Sequence, residues 1–209
     1  MKTQRSIYHL IVDRSGSMSD CVEATINGFN EQLNCIRGME SEFPEQDIKV
    51  GLTLFNDTVD YISMGEPVTM IPYLTKSNYV PNGSTALLDA IGQTATLLGE
   101  RESAQSALPA TFVVVVLTDG YENSSRMFNL EQVRAMIQQL ESTGKWTFSF
   151  IGATLDAVDV ARQMSIKAQN SYSFEKQAMK GEVWDKLSTS MRGYFSKKQS
   201  GEHLSDLFD

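Results

Sequence analysis

Short apolar runs alternate along the chain with apolar stripes at helical spacing. Ile7–Val12 is a continuous run of strand length, suited to a buried strand. Val22, Ile26, Phe29, Leu33 and Ile36 then recur at the spacing of one helix face. Asp20 with Glu23 three residues on predicts a capping box at the start of that helix, and Gly38 and Pro44 close it. Ile48–Phe55 reads as a second strand, Asn56-Asp57 as turn residues and Thr58–Ser63 as the return strand of a hairpin, which predicts one antiparallel edge strand.

Met64–Gly83, with Pro67, Pro72 and Pro81, reads as loop. A helix is expected from Ser84 to about Glu100, with Leu87, Ile91, Ala95 and Leu98 on one face. Phe112–Leu117 is the strongest strand, and its unbroken apolar run implies burial on both faces, as at the centre of a parallel sheet. Leu130, Val133, Ile137 and Leu140 mark a helix ended by Gly144. Trp146–Ile151 is the next strand, Ala157–Met164 a short helix and Ser171–Phe174 a weak edge strand. A last helix from roughly Gln177 to Phe195 carries Trp184, Leu187, Met191 and Phe195 on one side, and the tail after Lys197 is polar and expected to fray. One α/β domain over residues 1–197 follows, with a tail at 198–209: an open, doubly wound, mostly parallel six-stranded sheet, one antiparallel edge strand, and helices on both faces. In such sheets ligands gather beyond the carboxyl ends of the strands, near the switch point.

Composition narrows the function. The chain has 209 residues and a formal charge of −8, with no basic run, which argues against binding nucleic acid or an anionic membrane. Its longest apolar run is too short to span a bilayer, and no secretory leader is recognisable at the N-terminus, so a cytoplasmic location is expected. Cys21 and Cys35 fall on one expected helix at a separation of roughly 20 Å, against the roughly 4.4–6.8 Å a disulfide requires. Free thiols are expected, as small buried hydrophobes in a reducing compartment.

Three polar clusters sit at strand ends or helix starts: Asp13-Arg14-Ser15-Gly16-Ser17, Asn82-Gly83-Ser84-Thr85 and Thr118-Asp119-Gly120. Asp13, Ser15 and Ser17 alternate along a tight loop whose path Gly16 is expected to permit. Thr85 adds a neutral oxygen and Asp119 a second carboxylate. Hydroxyl and carboxylate oxygens suit hard cations. Two carboxylates balance one dication and leave room for a further acidic ligand. Mg2+ fits best, with Mn2+ or Ca2+ as alternatives, because it prefers six near-ideal oxygens and keeps exchangeable waters. Taken singly, each cluster could be a helix cap or a turn.

Together these residues resemble the metal-ion-dependent adhesion site of the von Willebrand factor A family. Its pattern is Asp-x-Ser-x-Ser after the first strand, a Thr opening a later helix and an Asp after the fourth strand; here these are Asp13, Ser15, Ser17, Thr85 and Asp119. Asp-Arg-Ser-Gly-Ser-Met and Leu-Thr-Asp-Gly-Tyr-Glu-Asn-Ser-Ser look like its bacterial, intracellular, stand-alone branch. The resemblance implies a metal-dependent protein-binding adaptor or scaffold in which a partner's Asp or Glu completes the coordination. By the same resemblance the partner is a larger machine such as an AAA+ ATPase or a stress-response complex, and in some relatives the last helix shifts with the state of the site.

An enzyme is not expected. Ser15 and Ser17 would need a base within reach, and the two histidines fall in the first strand (His9) and the polar tail (His203). A metal-dependent, phosphatase-like hydrolase stays as the alternative. Neither a dinucleotide nor a P-loop motif is present. Tyr121 and Glu122 are expected on the rim, where they could contact a partner.

Overall fold

The computed structural model describes residues 4–105, 110–153, 157–175, 181–200 and 206–208. Six strands, β1 (Gln4–Asp13), β2 (Gln46–Phe55), β3 (Val59–Pro67), β4 (Ala110–Thr118), β5 (Trp146–Gly152) and β6 (Ser171–Ser173), form one sheet in the order β3-β2-β1-β4-β5-β6. All neighbours are parallel except the β2–β3 hairpin at one edge. The helices are α1 (Val22–Glu42), α2 (Leu87–Gln105), α3 (Leu130–Ser142), α4 (Ala157–Gln163) and α5 (Glu182–Gln199). This is the expected open α/β architecture. From β1 the chain winds outward to β2 and β3, then crosses back to β4 on the other side of β1. The switch point therefore lies between β1 and β4.

Alternation along the central strands divides the core. Tyr8, Leu10 and Val12 of β1 and Val113, Val115 and Leu117 of β4 pack with α1 and α5. Ile7 and Ile11 join Phe112, Val114 and Val116 against α2 and α3. The four valines Val113–Val116 are all buried; each contributes roughly 1.5–3 kcal/mol by burial. Gly28 lets α1 approach α5, because a Cβ there would overlap the Trp184 indole.

The sheet also holds a buried polar chain. His9 lies within hydrogen-bond reach of Thr53 (2.8 Å), and the Thr94 hydroxyl donates to the same Thr53 oxygen (3.1 Å). Gly51, against the imidazole, leaves the space the ring fills.

Several local expectations are corrected. Residues Gly16–Cys21 form a 3-10 turn, and α1 starts at Val22 with Cys21 at its N-cap and no side-chain cap, so the Asp20–Glu23 capping box does not form. β3 runs on to Pro67 through two register irregularities, which break the alternation that would have marked it as strand. α2 begins at Leu87, not Ser84, because its first amides are bonded by a distant loop described below. α5 extends to Gln199; the start expected at Gln177 lies outside the described residues, as do 178–180. The tail is not frayed where it is described. Leu207 and Phe208 are buried, the Leu207 amide donates to Asn170 Oδ1 (2.7 Å), and the Lys186 ammonium lies over the rings of Tyr172 and Phe208. Cys21 and Cys35 are free thiols, as expected. Among the described residues no helix is long and apolar enough to cross a membrane.

Candidate metal centre

The three polar clusters meet at the carboxyl ends of β1 and β4. Asp13 is the last residue of β1 and Thr118 the last of β4. The Thr118 hydroxyl donates to Asp13 Oδ2 (2.6 Å) across the switch point, and the Ser15 amide donates to Asp13 Oδ1 (2.6 Å). The Ser17 hydroxyl donates to Asp119 Oδ1 (2.6 Å), and the Ser15 and Ser17 hydroxyl oxygens lie 3.0 Å apart.

Gly120 shows how closely the clusters converge. A Cβ built there would lie 3.2 Å from Thr85 Oγ1, 3.4 Å from Ser17 Oγ and 3.9 Å from Asp13 Oδ2. One point beside Gly120 therefore faces oxygens of Asp13 and Ser17 from the loop after β1 and of Thr85 from the loop before α2, and the bare backbone of Gly120, in a third loop, keeps that space open. Asp13, Ser15, Thr85 and Asp119 are buried beneath it, while Ser17 faces solvent. All five residues singled out from sequence are brought together.

The loops are pinned by backbone bonds. Arg14 donates its amide to the Phe55 carbonyl (2.7 Å) and accepts from the Asn82 amide (3.0 Å); the Gly16 amide donates to the Gly83 carbonyl (3.1 Å). The Tyr79 hydroxyl, sealed in the core, donates to the Asp13 carbonyl (2.6 Å). The residue that needs glycine's freedom is Gly83, at φ 71°, where a Cβ would meet the Asp57 carboxylate. Gly16, expected to fill that role, does not have a positive φ.

A second ring of carboxylates fastens α2 to the loop after β4. Glu122 accepts from the amides of Leu88 (2.9 Å), Ser124 (2.9 Å) and Ser125 (2.7 Å) and from the Ser125 hydroxyl (2.7 Å). Asp89 accepts from the amides of Arg126 (2.9 Å), Met127 (2.9 Å) and Phe128 (2.8 Å). Glu122 is thus turned inward as a structural acceptor, correcting its expected place as a contact residue, whereas Tyr121 is half exposed on the rim. Sequence reasoning missed Asp89, Asn123, Ser125 and Tyr79. An acid in the first turn of a helix and Asp/Asn/Ser-rich loops are common, and only tertiary pairing distinguishes these.

Burial pushes the Asp13 carboxyl up to about 6, against the hydrogen bonds from Thr118 and Ser15 that hold it down; the nearby Asp119 carboxylate adds to the rise. Positive charge at the cradle would oppose that desolvation. The donors are two carboxylates and three hydroxyls, all hard oxygen ligands. Among the described residues no group of three or more His, Cys, Asp or Glu is arranged to hold a metal. The donor set itself, two carboxylates and three hydroxyls, fits a hard dication better than a soft one.

A family model described as von Willebrand factor type A domain matches residues 9–189. No match is found among curated proteins. Among solved structures, a von Willebrand factor type A protein from Catenulispora acidiphila aligns with TM-score 0.63 and 14% identity over 91% of this chain and 43% of that one. Proximal thread matrix protein 1 from the mussel byssus, with a zinc-occupied MIDAS motif, aligns with TM-score 0.57 and 15% identity over 94% of this chain and 46% of that one. The domain of the type V pili tip protein Mfa5 from Porphyromonas gingivalis aligns with TM-score 0.62 and 7% identity over 93% and 97%. At these identities the likeness is one of fold, and the chain spans less than half the length of the first two proteins.

Proposed function

Because the chain belongs to the von Willebrand factor type A domain family, whose members commonly bind a divalent metal and mediate protein interactions, we propose that it is a metal-dependent protein-binding module. Asp13, Ser15, Ser17, Thr85 and Asp119 hold the ion, some of them through water, and an Asp or Glu of the partner completes its coordination. The convergence of Asp13, Ser17 and Thr85 oxygens on one point beside Gly120, next to the Ser17–Asp119 hydrogen bond, carries this reading. The metal supplies a positive centre that recognises an acidic side chain, and the chain's own residues fix its position and exclude water from beneath it.

Mg2+ is the preferred ion because the donors are hard and include two carboxylates; zinc occupies the corresponding motif in the mussel protein. A non-catalytic role is supported by the burial of His9. His9 is sealed in the sheet with Thr53, and His203 lies outside the described residues. A cytoplasmic adaptor role is supported by the two free thiols. An AAA+ ATPase or stress-response complex as partner rests on the resemblance alone.

The test is thermal unfolding with and without Mg2+. The midpoint rises with Mg2+ in the native protein, and Asp119→Ala removes that rise while the far-UV circular dichroism stays native. A native-sized rise in the variant overturns the ligand assignment. Mg2+-dependent turnover of a phosphomonoester, lost in Asp13→Ala, would favour a hydrolase instead.

A further inference from the structure

At the pole opposite the candidate metal centre, a cavity of about 180 Å³ opens between the start of β1, the end of the β2–β3 hairpin and the last turns of α2. Arg5, Lys49 and Arg101 line it, over an apolar floor that includes Ile7 and Met64. Three cations on one small cavity stand out in a chain with 18 basic residues against 26 acidic ones. The topology gathers them. Arg5 is the second residue of β1, Lys49 lies on β2 opposite Ile7, two residues further along, and α2 runs from the metal pole down to Arg101.

The carboxylates around them leave much of this donor capacity unused. Asp47 is shared, with Oδ2 accepting from Arg5 Nε (3.1 Å) and Oδ1 paired with Lys49 (3.1 Å). Glu66 gives Oε1 to Arg101 (3.3 Å), while its Oε2 accepts from the Ser63 hydroxyl and the Met64 amide. Glu102, on the cavity wall, accepts from the Ala110 amide (3.0 Å). Arg5 thus spends only Nε and Arg101 only one terminal nitrogen on carboxylates among the described residues. Two guanidinium forks and an ammonium, partly exposed, face a space well above the ~30 Å³ that one water occupies. Forked donors match a tetrahedral oxyanion, which offers more acceptors and more charge than a carboxylate.

We propose that this cavity is an oxyanion site for a phosphate group, held by Arg5, Lys49 and Arg101 and separate from the metal centre. The two sites take opposite charges at opposite ends of the same sheet.

Isothermal titration of the full chain at pH 7, in metal- and phosphate-free buffer, tests it. Inorganic phosphate and glycerol 3-phosphate are titrated separately, with sodium chloride at matched ionic strength as control. Saturable one-site binding is expected, weakened at least tenfold in Arg101→Gln. That variant loses only a half-exposed ion pair, so its unfolding midpoint without phosphate stays near the native value. Saturation by inorganic phosphate alone assigns the site to the free ion, and saturation by both to a phosphomonoester. Heats that do not saturate, that chloride reproduces, or that persist unchanged in Arg101→Gln and Lys49→Gln overturn the proposal.

Discussion

Thr85 and Asn123 exchange hydrogen bonds: the Thr85 amide donates to Asn123 Oδ1 (2.9 Å), and the Asn123 amide donates to the Thr85 carbonyl (3.0 Å). The pair ties the loop before α2 to the loop after β4, so the hydroxyl of Thr85 is held beside Gly120 by a side chain that is not one of the candidate ligands. Asn123→Ala removes one bond and frees the loop. Mg2+ affinity, read by titration calorimetry, is expected to fall at least tenfold, and Asn123→Asp, which keeps an acceptor oxygen, restores most of it. Equal affinities in native protein and alanine variant would show that Thr85 is held without this pair.

Gly120→Ala puts a methyl group into the cradle, 3.2 Å from Thr85 Oγ1 and 3.4 Å from Ser17 Oγ. The Mg2+-dependent rise in the unfolding midpoint is expected to vanish. Without metal, the midpoint stays within a few degrees of native, because the methyl enters space at the rim and not the packed core. A variant that unfolds much earlier but still responds to Mg2+ would contradict this.

The Asp89 carboxylate accepts from three consecutive amides, Arg126 to Phe128. Asp89→Ala leaves those donors without it; an unmet donor costs about 1–3 kcal/mol when fully buried, and less in this loop, where Arg126 and Met127 are exposed. Solvent reaching the loop softens the total, so a loss of about 3 kcal/mol is expected in urea unfolding. Faster amide exchange should be confined to residues 122–128 and the first turn of α2.

His9 gives the protein a specific acid weakness. Burial holds its imidazole down at about 3, against an ordinary value of 6.5. The unfolded chain therefore takes up a proton that the folded chain refuses. Stability from this residue is fully present above about pH 6.5 and declines as pH falls towards 3, by at most about 1.4 kcal/mol per pH unit. Between pH 6.5 and 5 the native protein should lose stability relative to His9→Gln in urea unfolding; the raised Asp13 carboxyl acts in the opposite sense but is common to both proteins and cancels in the comparison. That difference in slope is expected whatever the substitution does to stability at pH 7.

The periodic elements were legible because burial imposes period on sequence. Val113–Val116 and the stripe Ile26, Phe29, Leu33 mark a central strand and a helix face without ambiguity. The five candidate ligands were legible because oxygen donors cluster at strand ends. What holds them was not. Glu122 looks like an exposed loop acid until Leu88, 34 residues away, donates to it, and Tyr79 looks like a loop aromatic until it reaches the Asp13 carbonyl. Gly16 and Gly83 are indistinguishable by composition, and only the backbone path shows which one needs a positive φ. Leu207 and Phe208 were hidden in a polar tail because two apolar residues make no period.

The bond from Thr118 to Asp13 spans 105 residues and that from Ser17 to Asp119 spans 102. A contact so distant along the chain closes slowly and late in folding. During synthesis, residues 13–17 leave the ribosome long before Asp119 exists, so the nascent chain carries three of the five candidate ligands and no assembled cradle. If the cradle binds metal as proposed, its uptake requires β1 and β4 to have zipped together and would serve as a timestamp for completion of the central sheet.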